Sequence, residues 1–215
     1  RGHLPPGAGK SRRTLKSMPT QPPPSASLKI TLGLAALILI LGLVPSWSVP
    51  ALEFNRSSIT DGQWWRLITG HWVHYGLYHL AMNASAFVLC GYILLRGLPA
   101  HHYVLLLCTC LLGVGGGLYW LSPQPHTYAG LSGALHGLIT AGLILRYPQA
   151  PWLSSAALVL LVGKLAHEQS AHFDPYHPLL LAPVAVNAHC YGAVIGTIFG
   201  LIALAQRQRK DGSHA

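Results

Sequence analysis

Charge is what this chain has least of. Only 9% of its 215 residues are Asp, Glu, Lys or Arg, against roughly 25% in an ordinary soluble domain. Acidic side chains are the scarcest, five against 14 Lys and Arg. So few charges cannot cover a soluble surface. A soluble nucleic-acid binder is therefore excluded, despite the formal net charge of +9. A disordered chain is excluded by the 51% hydrophobic content. Cysteine is also sparse. Cys90, Cys108, Cys110 and Cys190 all lie in apolar stretches, where small thiols pack, and this is not the pattern of a disulfide-stapled secreted domain. What remains is a single membrane domain.

Six apolar segments run at about 28–47, 76–95, 103–121, 131–145, 152–166 and 183–205. A helical span needs roughly 20 residues, so the fourth and fifth are short and count by their flanks and context. An open sheet is excluded in lipid and period-two alternation is lacking, which leaves an all-α membrane bundle of six transmembrane helices. Residues 1–27, basic and proline-rich, form an expected disordered tail, and residues 206–215 form a second basic tail. Met18 offers a start that would make residues 1–17 an upstream or added extension. With both termini cytoplasmic, eleven of the 14 basic residues fall on the inner side. The outer loops then hold only Arg56 and Arg66, and Lys164 lies within the fifth helix. The long first outer loop (48–75) and its edge carry Trp47, Trp64, Trp65 and Trp72, which places it partly in the outer leaflet.

Polar groups inside membrane helices are costly, and they mark function. Counting back from the arginine that closes each helix, at about 1.5 Å per residue, gives their depth. Ser132 lies about 21 Å above the inner boundary, Asn83 about 20 Å, His79 about 26 Å and His189 about 27 Å. Three helices thus bring a hydroxyl, an amide and two imidazoles to one level in the outer half of a core about 30 Å thick. Ser132 stands in Gly130-Leu131-Ser132-Gly133, where a loop enters the fourth helix beside free backbone N–H groups. Alone it reads as an N-cap. With a base in reach it becomes a nucleophile, and His189 is the candidate base. Gly133 and Gly137 on the fourth helix, with Gly192, Gly196 and Gly200 on the sixth, form small-xxx-small faces that would bring His189 toward Ser132. His79 and Asn83, four apart on one face, suit two donors aimed at one oxyanion, or an interhelical hydrogen bond.

Trp65-Arg66, His74, His79 and Asn83, then Gly130-Leu131-Ser132-Gly133, then Ala188-His189-Cys190-Tyr191-Gly192 with Gly196, resemble the rhomboid intramembrane serine proteases over about residues 28–205. Within that family, Gly130-Leu131-Ser132-Gly133-Ala134-Leu135-His136-Gly137 and the Lys164…Glu168-Gln169 segment look most like rhombosortase. The resemblance implies a Ser132–His189 dyad without an acidic third member. It also implies an oxyanion hole from His79, Asn83 and the Ser132 N–H, supported by Gly130 and Gly133. No metal or other cofactor is implied.

The implied substrates are exported membrane-anchored proteins ending in Gly-Gly, a transmembrane helix and a basic tail. Cleavage would occur at the periplasmic side of a bacterial inner membrane. Many rhomboids carry an aromatic residue one turn after the serine, and here that position is His136, a candidate for stacking on or orienting His189. Lys164 and Glu168, four apart on the fifth helix, are expected to pair at the interface, and both are candidate substrate-gate residues.

Two other classes compete. Thirteen histidines suggest a metal-transporting bundle, with a site from His79, His136 and His189. His167-Glu168-Gln169-Ser170-Ala171-His172 is one residue too long for the zinc-protease helix motif. The third class is a rhomboid-like protein that binds membrane substrates without cutting them, against which the intact serine and histidine count. A cavity opening outward between the second, fourth, fifth and sixth helices is expected to admit water.

Overall fold

The computed structural model describes residues 25–176 and 178–212. The expected N-terminal tail falls outside them up to residue 24. In chain order the elements are α1 (Ala26–Gly42), α2 (Pro45–Leu52), β1 (Phe54–Asn55), α3 (Arg56–Thr60), α4 (Arg66–Thr69), α5 (Leu77–Cys90), α6 (Ala100–Leu121), β2 (Thr127–Tyr128), α7 (Ser132–Arg146), α8 (Pro151–Glu168) and α9 (Val186–Gly212). A 3-10 turn at Gly70–Trp72 precedes α5, and a π-helical turn at Gly91–Leu95 extends it.

The protein is a helical membrane protein. Among the described residues, three helical stretches are long and apolar enough to cross a bilayer: Leu77–Leu95, Ala100–Leu121 and Val186–Arg209. The bent pair α1–α2 makes a fourth if counted as one span. Their outward faces carry exposed Leu32, Leu37, Ile40, Leu105, Ile198 and Leu201, as a lipid-facing surface would.

One expectation needs correction. The first apolar segment does not run straight from 28 to 47, because α1 and α2 meet at 111°. Pro45 disfavours the α conformation in the residue before it, and Val44 adopts φ −128°, ψ 51°. The chain therefore turns along the bundle end instead of continuing outward. At the other end, α9 continues through Gly212.

The short α7 is the central post. Eleven of its 15 residues are buried, from Gly133 through Ile144. Its neighbours shield it from lipid, so its length need not match the hydrocarbon thickness. The close face is the α7–α9 seam, and it depends on glycine. A Cβ at Gly192 would lie 1.9 Å from the Gly133 carbonyl oxygen, and one at Gly196 would lie 2.1 Å from that of Gly137. At Gly133, Gly137, Gly192 and Gly196 the two helices are thus in direct backbone contact. By contrast α8 is peripheral: among the described residues it buries just Ser154 and Glu168.

The segment between α2 and α5 is a folded cap, not a loose loop. Buried Arg66 donates to the Pro50 and Glu53 carbonyl oxygens and to Gln63 Oε1, at 3.0, 2.8 and 2.7 Å. Arg56 donates to the carbonyls of Leu118, Tyr119 and Ser122, closing the free C-terminal end of α6 with a cation. β1 pairs antiparallel with β2, Phe54 opposite Tyr128 and Asn55 opposite Thr127. This two-residue ribbon ties the cap to the segment that delivers Ser132.

Candidate active site

Ser132 opens α7, and His189 lies in the first turn of α9. The glycine seam brings these two helix starts together: His189 Nε2 and Ser132 Oγ are 3.0 Å apart. The N-cap of α7 is Leu131 and Ser132 is its first helical residue, so the N-cap alternative does not hold. Ser132 is half-buried and His189 is buried, which leaves the hydroxyl approachable and the imidazole enclosed.

Where the resemblance implies a Ser132–His189 dyad without an acidic third member, an acidic side chain lies beside the histidine. Glu168, the last residue of α8, places Oε2 2.9 Å from His189 Nδ1. It is 8% exposed. The expected ion pair to Lys164 is present on the other carboxylate oxygen, Oε1. One buried carboxylate thus joins two elements, and a periodicity argument confined to α8 sees one partner. Lys164, its side chain 47% exposed, also lies 3.1 Å from His136 Nε2.

The proton positions follow from the chemistry of the donors. An ammonium only donates, so His136 Nε2 accepts and its Nδ1 carries the proton. That Nδ1–H donates to the Ser132 carbonyl oxygen at 2.7 Å. The His136 ring stacks on His189 with centroids 4.1 Å apart and planes 19° apart. His136 therefore lays a flat ring on His189, with its proton on Nδ1.

On the opposite side of Ser132, Gly130 has φ +128°, a conformation costly to residues with a Cβ. A Cβ there would lie 2.6 Å from His79 Cε1, 2.8 Å from His79 Nε2 and 3.6 Å from Asn83 Nδ2. His79 and Asn83 thus converge on the turn before the serine. Asn83 Nδ2 is buried without a hydrogen-bond partner, a donor free for an incoming oxygen. The Gly130 N–H donates to the Gly70 carbonyl at 3.0 Å, which fixes the turn to the cap. Gly133 faces Val114 and Ala188, so its place is in the helix seam. His74 packs edge-on against His79, with ring centroids 5.1 Å apart.

A cavity of about 240 Å³ opens above Ser132, lined in part by Tyr75, His79, His126, Tyr128 and Leu181. The expected cavity exists with different walls. Segments 124–129 and 180–185 close it together with the start of α5, and the bodies of α8 and α9 do not line it. Tyr128 was not singled out by the sequence. Its hydroxyl donates to the Gly130 carbonyl and stiffens the turn before the nucleophile. A lone tyrosine in a polar loop gives no periodic signal.

The expected metal group of His79, His136 and His189 does not assemble. Among the described residues, His136, Glu168 and His189 bring ligand atoms within 4.8 Å of one another. The Lys164 ammonium already bonds to two of the three, so these donors do not fit a resident metal. His167 and His172 do not share a helix, because α8 ends at Glu168.

The model of the Rhomboid domain matches residues 61–206. A Bacillus subtilis (strain 168) protein named "Putative rhomboid protease YdcA" is 22% identical over 183 residues, covering 83% of this chain and 89% of the relative. The rhomboid protease GluP of the same organism is 33% identical over 87 residues, or 40% of this chain and 17% of that larger protein. The chain belongs to the rhomboid family and is an intramembrane serine protease.

Proposed function

We propose that this rhomboid cleaves exported, membrane-anchored proteins next to their anchoring helix, with Ser132 as nucleophile and His189 as general base and acid. The observation that carries the assignment is the 3.0 Å approach of His189 Nε2 to Ser132 Oγ beneath an accessible cavity. Ser132 Oγ attacks the scissile carbonyl as its proton passes to His189 Nε2. The developing oxyanion takes hydrogen bonds from Asn83 Nδ2, the His79 imidazole and the free N–H of Ser132 at the start of α7. His189 then gives its proton to the leaving amine, producing an acyl-enzyme at Ser132. Water attacks this ester, its proton returns through His189, and the carboxylic acid leaves as the Ser132 hydroxyl is restored.

The finer reading is of a rhombosortase-like enzyme. Its substrates end in Gly-Gly, a transmembrane helix and a basic tail. The enzyme has six helices in the inner membrane of a bacterium, both termini in the cytoplasm and a site opening to the periplasm. Support comes from the Gly130–Gly137 segment, the Lys164…Glu168-Gln169 segment and the distribution of basic residues. A small, loop-covered cavity also suits a glycine-rich stretch of chain better than one with bulky side chains.

The test uses the full chain in proteoliposomes with a membrane-anchored reporter carrying such an ending. Wild type releases the reporter domain, and Ser132→Ala releases none while its thermal unfolding is unchanged. Cleavage that persists in Ser132→Ala refutes the nucleophile. Equal cleavage of a reporter with Leu-Leu in place of Gly-Gly refutes the substrate class.

A further inference from the structure

Rhomboid-type catalysis by two residues leaves the second nitrogen of the histidine without an assigned charge partner, and here that nitrogen faces a buried carboxylate. We propose that Glu168 is the positioning residue of a Ser132–His189–Glu168 relay, with Lys164 as the tether that keeps its carboxylate aimed. The proposal rests on Ser132 and His189 acting as described above.

Every hydrogen in the cluster has one consistent assignment. Lys164 donates to Glu168 Oε1 and to His136 Nε2. Glu168 Oε2 accepts from His189 Nδ1–H at 2.9 Å. His189 Nε2 is then the unprotonated nitrogen, and at 3.0 Å it accepts from the Ser132 hydroxyl. His136 Nδ1–H donates to the Ser132 carbonyl oxygen, and its ring lies flat on His189. The base is thereby held in the tautomer that can take the serine proton.

Two further points favour a working part over a structural ion pair. Burial of a carboxylate is costly unless its oxygens are bonded, and Glu168 is the acidic group that α8 turns inward while most of that helix faces outward. When His189 takes the serine proton it becomes a cation, and Glu168 lies next to the nitrogen that shares this charge. Lys164 sits beyond the carboxylate and His136 beyond the ring face, so no second acidic side chain bonds into the cluster among the described residues.

The relay makes a distinctive forecast for two substitutions at one position. In Glu168→Gln the amide oxygen turns to the Lys164 ammonium, and the amide NH₂ faces His189 Nδ1. That forces Nδ1 to accept and puts the proton on Nε2, the wrong tautomer for a base. Replacing the orienting carboxylate by an amide in soluble serine proteases costs about 10⁴-fold in kcat. The expected loss here is about 10²- to 10⁴-fold in kcat with KM within about twofold. Glu168→Ala removes orientation without imposing the wrong tautomer, so it retains more activity than Glu168→Gln. Lys164→Met, which leaves the carboxylate one partner short, lowers kcat by about tenfold and also spares KM.

The experiment measures kcat and KM on the reporter in proteoliposomes, with the labelling rate of Ser132 by a fluorophosphonate as a readout independent of substrate docking. Thermal unfolding is recorded for each variant. Support is a kcat order of wild type, Lys164→Met, Glu168→Ala and Glu168→Gln, from highest to lowest, with labelling slowed in step. The proposal is overturned by Glu168→Gln within threefold of wild type, by a loss that appears in KM, or by Glu168→Ala falling below Glu168→Gln. Should Glu168→Gln not fold, a Lys164→Met enzyme with wild-type kcat and labelling also overturns it. Activity surviving in Ser132→Ala would instead refute the underlying assignment of the nucleophile.

Discussion

Adding one methyl group far from the reacting atoms should disable this enzyme. Gly196 is two turns along α9 from His189, and a Cβ there would meet the Gly137 carbonyl oxygen at 2.1 Å, its carbon and Cα at 2.7 Å. These are backbone atoms of a packed helix, so no side chain can swing away. Restoring ordinary contact at 3.4 Å requires α7 and α9 to separate by about 1.3 Å. Both helices begin at the site, and the gap between Ser132 Oγ and His189 Nε2 is now 3.0 Å. Opening by that amount breaks the hydrogen bond, since contacts beyond about 3.5 Å no longer qualify. A misplacement near 1 Å costs about 10²-fold in rate, and overpacking costs about 1–3 kcal/mol in stability. Gly196→Ala is therefore expected to lose about 10²-fold in kcat while remaining folded. The assay is reporter cleavage in proteoliposomes beside thermal unfolding in detergent. Gly200→Ala is the graded control, its nearest contacts being 3.1–3.2 Å, and Gly163→Ala is the neutral one, with nothing within 4 Å. Gly196→Ala with more than half of wild-type activity would refute the claim that the seam sets the distance between nucleophile and base.

Other outcomes follow from the same structure. Arg66→Lys keeps the charge but loses the fork that reaches Pro50, Glu53 and Gln63, and a buried acceptor left unpaired costs about 1–3 kcal/mol. Its unfolding temperature should fall, and an unchanged value would show that the cap does not depend on this side chain. His71, in the cap and 1% exposed, is held down to about 4 by burial. The unfolded chain takes up this proton below about 6.5 and the folded chain only near 4, so up to about 3 kcal/mol of stability is lost as pH falls through that window. Unfolding measured from pH 7 to 4 should show a shallower decline for His71→Gln than for wild type, and parallel curves would contradict it. Lys164→Met frees His136, Glu168 and His189, whose ligand atoms lie within 4.8 Å of one another. Zinc should then inhibit Lys164→Met at lower concentration than wild type, reversibly with a chelator. Equal inhibition of both would mean that the ammonium does not guard those donors.

Several features were legible because they depend on spacing along one helix. The pairs His79 with Asn83, Lys164 with Glu168 and Ser132 with His136 all follow from 3.6 residues per turn. The four-residue glycine repeat lies along the α7–α9 contact, and depth counted from the closing arginines puts Ser132 and His189 in the same half of the bilayer. The break between α1 and α2 was less visible, since the apolar run continues through Pro45 and composition alone favours one straight span.

The sequence by itself determined that this is a helical membrane protein, and it picked out Ser132 and His189 by depth and order. Tertiary structure alone decided what the second nitrogen of His189 meets. Glu168 ends α8 and approaches from a separate, mostly outward-facing helix, and an approach between helices has no periodicity to read. It likewise decided the cavity walls, which come from segments 124–129 and 180–185 folded over the site. Local spacing is written in the chain because backbone hydrogen bonding fixes the helical period. Which helices meet, and at what distance, depends on packing summed over the whole bundle.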